Sequence, residues 1–273
     1  MYHQYSLLND PGLNEMLIAF LGEADFDSFQ ELDSGLHAFA LAEQHEQSVA
    51  ALEDLRERFP FTYTWEVLEN KNWNEEWERQ FQPIRVGERL LIRADFHPAD
   101  PAVEHELVIT PKMAFGTGHH ATTYMMCELI FEEDLAGKSV LDYGSGTGVL
   151  AILAKRLGAG PVDAVDIEGP AAENTAENAQ ANGTELRHVV LGELHDVPPG
   201  PPYDLILANI NRNVILATGE ALYERLRPGG RVLFSGILAQ DEELLLSRLA
   251  AIGFHHHSTR RREDWRAFVF SRS

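Results

Sequence analysis

Cysteine is nearly absent from this chain, with Cys127 the single one in 273 residues. That excludes an internal disulfide and fits a reducing compartment. Cys127 lies in the apolar stretch MMCELI and reads as a small buried hydrophobe rather than a reactive thiol. Long hydrophobic runs are missing too: nothing approaches the roughly 18 consecutive apolar residues that a membrane span needs. The first residues, MYHQYSLLNDPG, lack the basic and apolar regions of a secretory signal. Positive charge is scarce, 22 Lys and Arg against 43 Asp and Glu, for a net charge of −21. Residues 1–83 hold 17 acids and 4 bases, a net of −13. Such a surface repels a phosphate backbone, which argues against direct nucleic-acid recognition, and attracts a basic protein. The expectation is a cytoplasmic protein, with monomer as the default state.

What is present is an ordinary 44% of apolar residues, enough for a proper core. Residues 1–69 read as β-α-β-β-α-β. HQYSLL is a strand, and Pro11-Gly12 turns into a helix carrying Leu13, Met16, Leu17 and Phe20. FDSFQEL and GLHAFALA pair as strands, a second helix covers about 44–58, and FTYTWEVLE closes the sheet. This is the split βαβ pattern of ferredoxin-like domains, and it holds no catalytic constellation. In residues 70–84, Trp73, Trp77 and Phe81 recur every four positions on one face of a short helix ended by Pro83. From 85 to 273 strands and helices alternate, which predicts a mostly parallel sheet covered on both faces. A final strand pair is expected near 254–271.

Two glycine-rich loops stand close together, MAFGTGHHATT at 113–123 and GSGTG at 144–148. The second follows the strand VLDY. A dinucleotide fingerprint would need a third glycine at 149, which is valine, and a Walker loop would need a lysine that is not there. Gly144, Gly146 and Gly148 allow a tight turn and close approach of a ligand to the backbone. With Asp142 two residues before it, the spacing resembles motif I of class I S-adenosylmethionine-dependent methyltransferases. Asp166 ends the next strand 22 residues after Gly144, where a ribose-binding acid is expected. A plain strand-end or helix-capping acid is the alternative. In DLILANINRN, Asn209 emerges at a strand's carboxyl end, where its side-chain oxygen could accept a hydrogen bond from an amine. Asn211 and Asn213 read as turn and helix-cap residues. His119-His120 invites a metal reading, but no Cys or carboxylate stands at a zinc-like spacing, so no metal is expected. The run His255–His257 followed by Arg260–Arg262 reads as a solvated strand.

Taken together these segments resemble the PrmA family, which methylates the eleventh protein of the large ribosomal subunit. The likeness covers the whole length: NWNEEWERQFQPIRVGERLLI resembles the family's Trp-x-x-x-Trp-x-x-x-Phe-x-Pro linker, and AFGTGHHATT its signature loop. VLDYGSGTG and ANI follow at the family's distances. The resemblance implies a ferredoxin-like substrate-recognition domain (1–69), a helical linker (70–84) and a class I methyltransferase domain (85–273). It implies transfer of methyl groups from S-adenosyl-L-methionine to lysine ε-amines, and in many members to the N-terminal α-amine, of a basic ribosomal protein. Thr123, Asp142, Gly144, Gly146, Asp166 and Asn209 would contact the cofactor. Asn209 and Phe115 would lie by the reacting methyl group. The chain departs from the family at Thr110-Pro111-Lys112, commonly Asp-Pro-Gly; at Ala121, commonly proline; and at Ile210-Asn211-Arg212, often Ile-Leu-Ala. Two other readings keep the fold: methylation of a nucleobase or small-molecule amine, and a catalytically silent binding module.

Overall fold

The computed structural model describes residues 2–22, 24, 26–32, 34–68, 82–110, 116 and 120–273. Phe115, Lys112, His119 and the linker aromatics Trp73, Trp77 and Phe81 lie outside the described residues. The chain divides into two compact units, Met1–Phe81 and Gln82–Ser273.

The first unit runs β1 (Tyr2–Asn9), α1 (Asn14–Gly22), β2 (Ser28–Leu32), β3 (Gly35–Leu41), α2 (His45–Arg58) and β4 (Phe61–Leu68). Strand order is β2-β3-β1-β4, with every pairing antiparallel, as the split βαβ reading requires. Asp10 accepts a hydrogen bond from the Gly12 amide at 2.9 Å and turns the chain into α1, with Pro11 supplying a preset φ. Alternation along β1 sends His3, Tyr5 and Leu7 inward, where Tyr5 and Leu7 pack with Leu17, Leu21, Leu36, Leu52 and Leu55.

The second unit opens with a small sheet of β5 (Ile84–Val86), β6 (Leu90–Arg93) and β7 (His105–Val108). Strand β5 was not anticipated: three residues ending at Val86, just before Gly87, are too short to show a period. There follow α3 (Ala121–Ile130), β8 (Val140–Tyr143), α4 (Val149–Arg156), β9 (Val162–Asp166), α5 (Gly169–Ala181) and β10 (His188–Leu191). The chain continues through β11 (Tyr203–Asn209), α6 (Arg212–Arg225), β12 (Leu226–Leu238), α7 (Glu242–Ile252), β13 (Phe254–Arg262) and β14 (Trp265–Arg272). They build a seven-stranded sheet ordered β10-β9-β8-β11-β12-β14-β13. β8 to β12 pair in parallel with their neighbours, whereas β14 runs antiparallel to both β12 and β13. No helix among the described residues is long and apolar enough to cross a membrane.

Period-two alternation splits the core between the two faces. Val140, Leu205, Leu207, Leu233 and Val269 pack beneath α3 and α4, while Leu141, Ile206, Val232, Phe234, Phe268 and Phe270 pack beneath α6 and α7. Each fully buried aromatic contributes about 1.5–3 kcal/mol of apolar burial. Sheet order reverses between β8 and β11, and the crevice at the carboxyl ends there is where an open parallel sheet holds its ligand.

Candidate functional site

A cavity of about 650 Å³ opens at this switch point. Gly144 and Gly146 from the β8–α4 loop, Asp166 from β9, Gly192 and Glu193 beyond β10, and Asn209 from β11 line it. The volume falls within the range of sites for cofactor-sized ligands.

The floor is built by backbone conformations that only glycine adopts without strain. Gly144, Gly146 and Gly148 have φ of 77°, 56° and 78°. A Cβ on Gly144 would stand 2.3 Å from Cγ2 of Ile210. Asp166 holds the turn in place: its Oδ2 accepts from the Gly146 amide at 2.8 Å and its Oδ1 from the Glu168 amide at 3.0 Å. It is therefore both a strand-end acid tying down the loop and a wall of the cavity, its second lone pairs still available to hydroxyl donors.

Asn209, on the cavity wall, donates from Nδ2 at 3.3 Å to Oγ1 of Thr123, 86 residues away in the chain. Thr123 itself is fully buried and is not among the residues lining the cavity. The Asn209 Oδ1 is buried and has no hydrogen-bond partner among the described residues. Thr123 sits in the first turn of α3, which His120 caps by accepting from the Thr122 amide. The His120 ring packs edge-on against Trp265, 4.6 Å between centroids. Asn211 caps α6 by accepting from the Val214 amide at 3.1 Å, whereas Asn213, expected to be a turn or cap residue, lies inside that helix and lines the cavity. Arg212 is paired with Asp241.

Asp142 does not line the cavity. Its side chain is fully buried on β8, its Oδ2 accepts from the Ala151 amide at 3.0 Å, and its Oδ1 is unpartnered. Burial pushes the carboxyl up to about 7, opposed by the Ala151 amide and aided by the charge of Asp166. Beside it, burial drives the Cys127 thiol up to about 12, which leaves it inert.

The two glycine loops are joined directly. Thr147 of the second donates to the Gly116 carbonyl of the first at 2.8 Å. Three asparagines one turn apart, Asn174 and Asn178 on α5 and Asn182 at its C-cap, secure what surrounds them. Asn178 accepts from the Thr110 amide at 3.0 Å and donates to the Thr147 carbonyl at 2.9 Å. Asn174 donates to the Thr110 carbonyl at 3.0 Å, and Asn182 exchanges two bonds with the Val108 backbone. The sequence reading overlooked this ladder, although Asn-x-x-x-Asn-x-x-x-Asn at helical spacing is visible in AENTAENAQAN. It also overlooked Ile167, Gly192, Glu193 and Ile210. Ile167, an apolar side chain left 68% exposed directly after Asp166, is a readable sign of a ligand-facing wall. No group of three potential metal ligands occurs among the described residues. His257 instead bonds Ser271, and its ring lies 4.9 Å from that of His255.

A seven-stranded sheet with one reversed strand, a glycine loop after its first central strand and an acid closing the next together define a class I S-adenosylmethionine-dependent methyltransferase. The methyl donor is S-adenosylmethionine. The sequence profile described as ribosomal protein L11 methyltransferase (PrmA) matches residues 16–273, and the chain belongs to that family. It is 41% identical over 263 residues to the ribosomal protein L11 methyltransferase of Porphyromonas gingivalis, covering 94% of this chain and 90% of that one. The namesake from Phocaeicola vulgatus is 39% identical over 266 residues, covering 94% and 93%. Among solved structures, a ribosomal protein L11 methylase from Lactobacillus delbrueckii subsp. bulgaricus superposes with a TM-score of 0.63. It is 31% identical, and the match covers 71% of this chain and all of that one.

Proposed function

We propose that this enzyme methylates lysine ε-amines, and the N-terminal α-amine, of the basic ribosomal protein L11, in the cytoplasm and as a monomer. The observation that carries the reading is Asn209 on the cavity wall, its amide nitrogen held by Thr123 and its buried Oδ1 without a hydrogen-bond partner among the described residues. The residues present fit the donor. Gly144 and Gly146 would leave room for its amino-acid tail and Asp166 would offer lone pairs to ribose hydroxyls, with Ile167 and Glu193 completing the wall. Thr123 holds the Asn209 amide nitrogen. When bound, the donor supplies an electrophilic methyl group on a sulfonium. Asn209 accepts a hydrogen bond from the incoming amine and turns its lone pair toward that carbon for in-line attack. An amide cannot remove the lysine's proton, so the amine arrives neutral after losing it to solvent. Catalysis then rests on positioning and exclusion of water. Phe115, outside the described residues, is assigned to the reacting methyl group by family resemblance alone.

Residues 1–69 grip the substrate, 70–84 join the parts and 85–273 carry the transfer. An acidic first unit suits a basic protein and disfavours a nucleobase on an RNA backbone. Incubating unmethylated L11 with the enzyme and S-adenosylmethionine, then measuring intact mass, tests the proposal. Mass added in methyl steps is expected, and none with Asp166→Ala. An unchanged mass, with donor binding verified by calorimetry, would remove L11 as the substrate.

A further inference from the structure

We infer that Asp142 is a proton-exchanging residue that lets the site prefer the cationic methyl donor over its neutral by-product, a preference that grows with pH. The inference rests on the donor reading above and extends it to a buried group that does not touch the cavity.

The geometry is unusual for a carboxyl. Asp142 has no exposed surface, and a single hydrogen bond, from the Ala151 amide at the start of α4, reaches its Oδ2. Oδ1 has no partner among the described residues. A buried carboxylate would normally gather two or three donors or a basic residue. Asp163, on the next strand, does so, accepting from Arg187, His188 and Tyr203. The groups facing Asp142 offer nothing similar. From β9 comes the like charge of Asp166, from α3 the neutral thiol of Cys127, from β11 the side chain of Leu207 paired opposite it, and from α4 the one amide. Below neutrality the proton therefore stays on the carboxyl until a positive charge arrives nearby, and the carboxyl's position of about 7 makes that exchange cheap near neutral pH.

Asp142 lies two residues before Gly144, which lines the cavity, so ligand charge at the glycine loop acts on it through a dry interior. Donor and by-product share an amino-acid tail and an adenosine, and differ by one unit of charge, sulfonium against thioether. Bound in the cavity, the more positive ligand favours the ionised carboxyl more. The O–H bond of the carboxyl breaks, its electron pair stays on Oδ1, and the proton leaves to solvent. By linkage, the step that expels the proton makes donor affinity rise with pH until the carboxyl is ionised without ligand. By-product affinity follows more weakly. After transfer the lost positive charge favours reprotonation and release.

Calorimetric titration of the full-length protein with S-adenosylmethionine and with S-adenosylhomocysteine from pH 5.5 to 8.5, in buffers of different ionisation enthalpy, tests this. The expected result is that wild type releases more protons on binding donor than on binding by-product. The ratio of the two dissociation constants should change in the donor's favour by up to about tenfold per pH unit below neutrality. Asp142→Asn, close in shape and uncharged, should show a ratio independent of pH, and its profile carries the ligands' own titration as a control. Infrared difference spectra add a readout free of affinity: the band of a protonated carboxyl should disappear on adding donor to wild type and be absent from Asp142→Asn. Equal proton release for both ligands, a flat ratio in wild type below neutrality, or no protonated-carboxyl band in the free protein at pH 5.5 would each overturn the assignment. Failure of the donor reading itself would look different, with neither ligand giving heat in either protein.

Discussion

Asn209 shows how much one side chain at a strand end can do. Its amide nitrogen is engaged by Thr123 while its oxygen is buried and unpaired, so the side chain is oriented before any amine arrives. Asn209→Ala should leave donor affinity within a few-fold of wild type and lower kcat by roughly 10²–10³. Equilibrium binding of donor alongside single-turnover transfer checks the split. Asp142 makes a second prediction at this scale. Its folded-state value is raised above the unfolded one, so the stability it contributes is fully present below about pH 4 and lost as pH rises through about 7. Donor-free wild type should therefore lose on the order of 2–4 kcal/mol relative to Asp142→Asn between pH 5 and 8.5. Thermal or denaturant melts of the two proteins at both pH values measure the difference.

Between elements, helix α5 acts as a brace. Asn174, Asn178 and Asn182 stand one turn apart, and their amides take up the backbone groups of Val108, Thr110 and Thr147 that no strand partner satisfies. Thr147 in turn reaches Gly116. Because Asn178 serves the strand ahead of one glycine loop and the turn of the other, Asn178→Ala strips two buried backbone groups together. The expected cost is about 2–4 kcal/mol of stability, with a weaker donor affinity besides. Asn182→Ala, which removes side-chain bonds to the Val108 backbone and to the Asn178 carbonyl, should cost stability with a much smaller loss of donor affinity. Melts and donor titrations of both variants separate the two effects. The elements themselves were largely readable in the sequence. Strand–helix alternation from β8 to β14 appears as period two giving way to period 3.6, and the helix at 121–130 came within two residues of expectation. Strand β5 and the asparagine ladder were not, since one is too short to show a period and the other acts only on groups distant in the chain.

For the whole molecule, charge sets the terms of encounter. A net −21, with −13 of it in residues 1–83, makes approach of a basic protein favourable at long range and sensitive to salt. KM for L11 should rise several-fold between 50 and 300 mM salt while kcat and donor affinity stay nearly constant. Initial rates across that range, with free donor saturating, check it. The sequence alone determined the class of fold and a few residues of the cavity wall. Glycines at 144 and 146, the acid at 166 and the asparagine at 209 are local solutions to local problems: a tight turn, a strand end, a polar group where a strand emerges. Only the tertiary structure decided that Thr123 meets Asn209, that the two glycine loops are bonded through Thr147, and that Asp142 is sealed off with one oxygen unpaired. Those properties depend on which atoms the folded chain leaves beside one another, and on how far each stands from water, neither of which residue spacing encodes.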